Sequence, residues 1–563
     1  MKVLAGQAGS ELIQRALGAA LIGILCSWLY YPYLSNPLVF DDSNLFHTEI
    51  LTTAAIAPWE LGIRGLPYFT LGWVETQIGG MEAHRSVSLA LHILVAYQMC
   101  RFLEEVLIAG IQSTPTDKSV SQTNVRWIAV LIAAAFACHP VAVYGAGYLV
   151  QRTIVFATLF ALICLRNLLF ALRQNDVRAA LRAAVWASLS ILSKQHAVML
   201  PIAALALIPV AGHVSRETLR ICAMFLLLST PAMSLAVLTN LSLVGQVYES
   251  SIRDLETELH ALPPLAGRYE RWLLSASTQA RLYFSYWQQW LLPDPNGMSV
   301  DLRVDFFRPW THAGAWLSIV GLVSLPLFAA VYSVRARRAG LLAFALTFTS
   351  LLFLVELSTI RFQEPYALYR SYLWSIGYCT LVAAFICRFA PMVGLAALAF
   401  TIPMLMIQAT GRLDTFRSKL ALWDDAVTRL PKLEIAGSSR ILFNRGGERY
   451  RSGDINGAMN DINEAIRLNP GNGRFRMARA AALLSSGRAH EALADLESAR
   501  TSMPDDGQLL FLQSRTLSAL GRTDEANAAL MEAARHGNFS AKYELAKRQN
   551  PGGDIAIELS PPR

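Results

Sequence analysis

The chain has 563 residues, 54% of them hydrophobic and only 16% charged, with a formal net charge of +8. Its mean hydropathy of +0.36 averages a very apolar first three-quarters with a polar last quarter. That contrast excludes an ordinary soluble enzyme and predicts a polytopic membrane domain over 1–410, then a soluble domain over 411–550.

Apolar runs long enough to cross a bilayer, ~17–25 residues, fall near 12–34, 86–108, 127–145, 153–172, 221–245, 312–334, 339–357, 371–388 and 390–408. The first has a basic flank without a clear small-residue cleavage site, so a retained span is expected. Between 182 and 212 the apolar stretch is broken by Ser193-Lys194-Gln195-His196, which predicts two short spans and eleven crossings in all. Residues 246–311 are only partly apolar. Within them 281–290 interleaves Tyr and Trp with polar residues and precedes Pro293-Asp294-Pro295, as in a helix lying at the interface or a re-entrant hairpin. Residues 48–60 are a second interfacial candidate. All seven cysteines lie in or beside apolar runs, so neither a disulfide framework nor a CxxC metal pattern exists.

The Arg-bearing connections 101–126, 166–182, 213–220, 335–338 and Arg388 orient these runs. With the N-terminus inside, eleven alternating crossings put all of them on the cytoplasmic side. The positive charge therefore reads as a topology signal and not as a nucleic-acid footprint. The same count places 35–85, 146–152, 193–196, 246–311, 358–370 and the C-terminal domain outside.

The tail repeats every 34 residues: Gly453, Gly487 and Gly521; Ala458, Ala492 and Ala526; Ala465, Ala499 and Ala533; Pro470 and Pro504. Small residues where paired helices touch, with Pro closing the second helix, form the tetratricopeptide pattern. Units are expected near 439–472, 473–506 and 507–540, with a degenerate half-unit over 422–431 and a disordered end over 551–563. Such arrays are general peptide-docking surfaces.

The unusual polar residues all fall on the expected outer face. Phe40-Asp41-Asp42-Ser43-Asn44 follows the first span, where two adjacent carboxylates at a membrane boundary call for a reason; one could take a proton from an acceptor hydroxyl. A polar loop with Asp42 or Ser43 capping the next helix is the plainer reading. Arg64 with Pro67 and Tyr68 lies in the same outer loop, and His84, Arg85 and His92 open the second span. His139-Pro140 ends the third, and Arg152 enters the fourth against the positive-inside bias. Guanidinium binds phosphate through two parallel hydrogen bonds. Lys194 and His196 interrupt an apolar stretch, and Arg361, Glu364, Tyr369, Arg370 and Tyr372 cluster before the tenth span. Carboxylates, cations and aromatics on one face suit an enzyme that moves a sugar from a polyprenyl phosphate.

In the order Phe40-Asp41-Asp42, Arg64…Pro67, Gly80…His84…His92, His139-Pro140-Val141, Arg152, Ser193-Lys194 and Tyr369-Arg370-Ser371-Tyr372, followed by the repeats, the chain resembles the transmembrane and tetratricopeptide-repeat glycosyltransferases over nearly its whole length. That family has the α-helical GT-C fold. The resemblance implies transfer of a polyprenyl-phosphate-linked sugar to a protein or glycan hydroxyl on the extracytoplasmic face, with inversion, in a Gram-negative inner membrane. It implies Asp41 as base, Asp42 as its support or a divalent-cation ligand, and Arg152, Lys194, His196 and Arg370 as phosphate ligands. Arg64, His139, Glu364, Tyr369 and Tyr372 would contact acceptor or glycan. The chain departs from the family where Gln195 replaces an acid after Lys194, where Val87 and Ser88 replace an Asn, and where Leu368 replaces a Glu, for which Glu364 would substitute. Two alternatives remain open: an oligosaccharyltransferase or ligase using a lipid pyrophosphate, and a non-catalytic envelope or pilus scaffold.

Overall fold

The computed structural model describes residues 2–42, 62–112, 121–212, 214–244, 267–306, 313–336, 339–389 and 391–549. Among the described residues the regular structure is helical, apart from one β-bridge between Leu302 and Tyr366. Residues 43–61, which include Ser43, Asn44 and the interfacial candidate 48–60, lie outside the described residues, as does the end expected to be disordered.

The first unit runs to Leu422. Its principal helices are α1 (Lys2–Tyr30), α2 (Gly65–Gln77), α3 (Met81–Gln112), α4 (Gln122–Ala137), α5 (Arg152–Gln174) and α6 (Val177–Ser193). These are followed by α7 (Arg216–Asn240), α8 (Arg268–Leu291), α9 (Ala313–Arg335), α10 (Gly340–Phe353), α11 (Ser375–Phe389) and α12 (Pro391–Thr415). Between α6 and α7 the expected break at 193–196 is present, with the short helices Leu200–Ala204 and Ile208–Ala211 beyond it. Helix starts follow local chemistry: Ser121 caps α4 by accepting from Asn124 N, Asp176 caps α6, and Ser215 with Thr218 forms a capping box on α7. The span expected over 127–145 is shorter than that. It ends at Ala137 because Pro140 cannot continue the hydrogen-bond ladder, and the chain restarts as the short helix Val143–Ala146.

Among the described residues seven helices are long and apolar enough to cross a membrane, among them 81–111, 149–174 and 391–415, and Gln122–Ala137, Leu200–Ala211 and Ser375–Arg388 are shorter apolar helices. Their outward sides are hydrocarbon: Leu317, Phe328 and Val334 on α9, and Phe400 and Ile407 on α12, are all largely exposed. A surface of that kind needs lipid around it. Helix α5 is the most enclosed of the seven, with 78% of its apolar window buried.

Polar groups gather in two layers. In one, Glu104 pairs with Arg15, Arg101 and Arg126, and Glu105 with Arg166, tying α1, α3, α4 and α5 together. In the other, Arg85 donates to the Asn36 and Gly147 carbonyls, Asp42 accepts from Val150 N, Arg152 donates to His84 O and Lys194 to Thr153 Oγ1. Arg85 and Glu105 lie twenty residues apart on α3, about 30 Å along a helix, which is the thickness of a hydrocarbon core.

Among the described residues the second unit comprises those from Trp423 onward. Three helix pairs, Ser438–Arg451 with Ile455–Leu468, Gly473–Ser485 with Ala489–Arg500, and Gly507–Ala519 with Thr523–Arg535, occupy the expected repeats. Each pair turns on a glycine, Gly453, Gly487 or Gly521, with φ of 88°, 75° and 74°, a conformation costly for other residues. Ala458, Ala465, Ala492, Ala499, Ala526 and Ala533 are buried where the helices of a pair meet. Pairs one and two share a bidentate clasp, Arg445 on Asp461 and Arg479 on Asp495. In the third, Gln513 and Ala529 stand in those places.

Candidate functional site

The loop 35–42 is fixed from beneath by Arg85, whose guanidinium donates to the carbonyls of Asn36, Pro37 and Gly147 at 2.7–2.8 Å. Phe40 has a φ of 51°, a left-handed conformation that costs a non-glycine residue about 1–3 kcal/mol and persists only where its surroundings impose it. The two carboxylates that follow this turn have different surroundings. Asp42 is fully buried and accepts from Val150 N at 2.8 Å and Leu149 N at 3.4 Å, at the start of the α5 segment. Burial pushes its carboxyl up to about 7, against the pull of Arg85 and three backbone N–H groups. Asp41 is exposed, its own N–H donating to the Tyr148 hydroxyl at 2.9 Å.

The charge of Asp41 acts on Lys194 and Tyr369. Lys194 is buried, and its ammonium donates to Gln151 Oε1 and Thr153 Oγ1, both at 3.3 Å, and lies 5.6 Å from the Tyr369 ring centroid. Its polar contacts are thus neutral. Burial, with Arg64 and Arg370 close by, lowers its pKa well below the usual lysine value. Arg64 is a second left-handed residue, with a φ of 65°. It donates to Gln195 Oε1 at 2.8 Å and is pinned by its N–H on Leu192 O at 2.6 Å.

Behind these cations stands Glu356, fully buried at the end of α10. It lies 2.9 Å from Arg361 Nε, 3.1 Å from Arg370 Nη1 and 3.2 Å from His196 Nε2. Burial lowers His196 to about 4 despite this carboxylate, so its ring is neutral at pH 7. The sequence reading overlooked Glu356 and placed Arg361 only within the outer cluster of Arg, Glu and Tyr that could hold a glycan or lipid pyrophosphate, although an acid within an apolar run (Leu354-Val355-Glu356-Leu357) is a signal of function. Glu364, expected to substitute for the missing Glu, is the farther partner, 3.9 Å from Arg370 and 3.5 Å from the Tyr369 hydroxyl.

Other expected site residues serve the scaffold. Arg152 is buried and directs its donors to Ser88 Oγ, Thr70 Oγ1 and His84 O, at 2.7–3.3 Å, which ties α2 and α3 to α5. Tyr372 is fully buried with its hydroxyl on His92 Nδ1 at 2.6 Å, packed on Phe136. His139 stacks on Trp290 at 4.5 Å, beside an apolar cavity of about 230 Å³. Asp42 uses its oxygens on backbone N–H groups, and among the described residues no group of three or more His, Cys, Asp or Glu is placed to hold a metal ion.

No family model matches the chain, and no curated protein matches it. Among solved structures it is similar to the Sgt2 TPR domain from Aspergillus fumigatus, at 17% identity over 22% of this chain and 90% of that one, with a TM-score of 0.18. A likeness so slight carries no argument about fold, partner or activity.

Proposed function

We propose that the protein is a membrane glycosyltransferase of the GT-C type, with eleven crossings and a tetratricopeptide solenoid. It moves a sugar from a polyprenyl-phosphate donor to a protein or glycan hydroxyl on the periplasmic face of a bacterial inner membrane. The observation that carries this reading is the pairing of an exposed carboxylate, Asp41, with a buried cation group in which Lys194 touches only neutral partners. A buried ammonium hydrogen-bonded only to neutral groups, with Arg64 and Arg370 close by, is costly, and an anion arriving in its pocket relieves that cost.

In the proposed reaction Asp41 accepts the proton of the acceptor hydroxyl. The hydroxyl oxygen attacks the anomeric carbon from the face opposite the phosphate, and the carbon–oxygen bond to phosphate breaks with its electron pair on the phosphate. Lys194, Arg370, Arg361 and Arg64 stabilise the charge that develops there. Glu356 keeps the two buried guanidiniums in place. Asp42 acts by fixing the loop, and the exposed carboxylate of Asp41 does the chemistry.

The test is a comparison of glycan masses on extracytoplasmic proteins and surface polysaccharide from cells carrying wild type, Asp41→Asn or Lys194→Ala at equal expression. Loss of a defined sugar mass in both variants supports the reading, and the missing mass identifies the donor sugar. Survival of every glycan in both variants refutes it and favours a scaffold whose repeats recruit partners.

A further inference from the structure

Six side chains of α8, Trp272, Ser275, Gln279, Tyr283, Tyr286 and Trp290, recur every three or four residues and so share one face of the helix. Five of them are hydrogen-bonded to the segment 357–371. Trp272 Nε1 donates to Leu357 O at 2.8 Å, and Ser275 Oγ accepts from Arg361 N at 2.9 Å. Gln279 Nε2 donates to Pro365 O at 2.7 Å. The Tyr286 hydroxyl donates to Ala367 O and accepts from Ala367 N, each at 3.1 Å. Trp290 Nε1 donates to Ser371 Oγ at 2.9 Å. The sixth, Tyr283, bonds Ser350 on α10 at 2.7 Å.

The order of contacts along α8 matches their order along the segment, so helix and segment run side by side as a ladder. The segment has little regular structure of its own: a 3-10 turn over Leu354–Leu357, another over Leu368–Tyr372, and the bridge at Tyr366. Buried backbone groups must find partners somewhere, and between these turns α8 supplies them from its side chains. Tyr286 bonds both polar groups of Ala367, as a neighbouring strand would, and Ala367 O also accepts from Arg370 N at 3.1 Å. The segment carries Arg361, Glu364, Tyr369 and Arg370, and Glu356 immediately precedes it.

From this ladder we infer that α8 is the positioning helix of the cation group. Tyr286 and Gln279 are positioning residues that set where Arg361 and Arg370 meet Glu356. Only the identity of the ligand, a prenyl monophosphate, rests on the function proposed above. The aromatic, polar-interleaved composition of 281–290 follows from this role: aromatic bodies fill the core while their hydroxyl and indole N–H groups reach the segment's backbone and Ser371.

The test uses full-length protein in detergent, with geranyl phosphate as the probe. Tyr286→Phe keeps the ring against Tyr366 and Trp374, at 4.7 and 5.0 Å, and removes only the hydroxyl. Tyr283→Phe is the control, since it deletes a hydroxyl on the same face that bonds α10 instead. The expected result is amide exchange over 364–371 faster by about tenfold or more in Tyr286→Phe, corresponding to one lost hydrogen bond. Geranyl phosphate affinity should fall by a similar factor, and Tyr283→Phe should leave both unchanged. Gln279→Leu should reproduce the exchange effect around Pro365 if Tyr286→Phe folds poorly. Unchanged exchange over 364–371 in both Tyr286→Phe and Gln279→Leu, or an equal change in Tyr283→Phe, overturns the inference. Faster exchange in a protein whose wild type does not bind geranyl phosphate supports the positioning helix and refutes the phosphate reading.

Discussion

Replacing Glu356 by Gln removes one negative charge from a fully buried group that lies 2.9 Å from Arg361, 3.1 Å from Arg370 and 3.2 Å from His196. Two guanidiniums then lose their nearest counter-charge, Glu364 standing farther off at 3.9 Å from Arg370. Breaking a buried pair in this way costs about 3–5 kcal/mol, and Gln retains one acceptor oxygen, so about 3 kcal/mol of stability should be lost. Ligand affinity should move the opposite way. An anion bound on the far side of Arg370 would sit about 6 Å from Glu356, where like charges repel by about 3 kcal/mol at an effective dielectric of about 20. Removing that repulsion strengthens anion binding by up to about a hundredfold. Thermal unfolding in detergent, with and without geranyl phosphate, reads both effects together. Glu356→Gln should melt below wild type alone and gain more from the ligand. A variant that melts like wild type, or that folds but gains less from the ligand, refutes this reasoning.

Burial raises Asp42 to about 7, so the native state holds this proton more tightly than the unfolded chain does. Its contribution to stability is fully present below about pH 4, falls as pH rises toward 7 by at most about 1.4 kcal/mol per pH unit, and is flat above; denaturation midpoints of wild type and Asp42→Asn across that range should show the slope only in wild type. Arg152→Lys cannot reach Ser88, Thr70 and His84 together, and should cost about 2 kcal/mol of stability while leaving geranyl phosphate affinity of the folded protein unchanged. A collapse in affinity would instead put Arg152 in contact with the ligand. In the repeats, Gln513→Arg with Ala529→Asp should rebuild the missing clasp and add about 1 kcal/mol. Slower amide exchange over 507–535 in the full chain checks it, and unchanged exchange contradicts it.

The repeats were legible because four columns of small residues and proline keep one 34-residue period, and the glycine of each turn needs positive φ whatever surrounds it. The apolar runs were legible because a bilayer demands length, although Pro140 shortened one of them in a way that composition alone did not weigh. The site was read in part. Asp41, Lys194 and Arg370 stood out as charges in apolar context. Nothing local separates Asp41 from Asp42, since the backbone N–H groups of Leu149 and Val150 that bury the second, and the Tyr148 hydroxyl that holds the N–H of the first, come from a distant segment. Arg152 looked like a ligand for phosphate because its three acceptors are neutral groups, silent in a sequence. Tyr372 and Tyr369 are three residues apart in one motif, and only packing tells that the first bonds His92 in the core while the second faces Lys194.

The most direct test of the central claim is a transfer assay with purified full-length protein, a prenyl-phosphate sugar and an acceptor hydroxyl, comparing wild type with Asp41→Asn. Because Asp41 is exposed, the variant should melt with wild type and still bind geranyl phosphate through the Lys194 group, yet transfer no sugar. Transfer by Asp41→Asn at the wild-type rate would contradict the account, leaving the acidic pair as a loop that seats a helix.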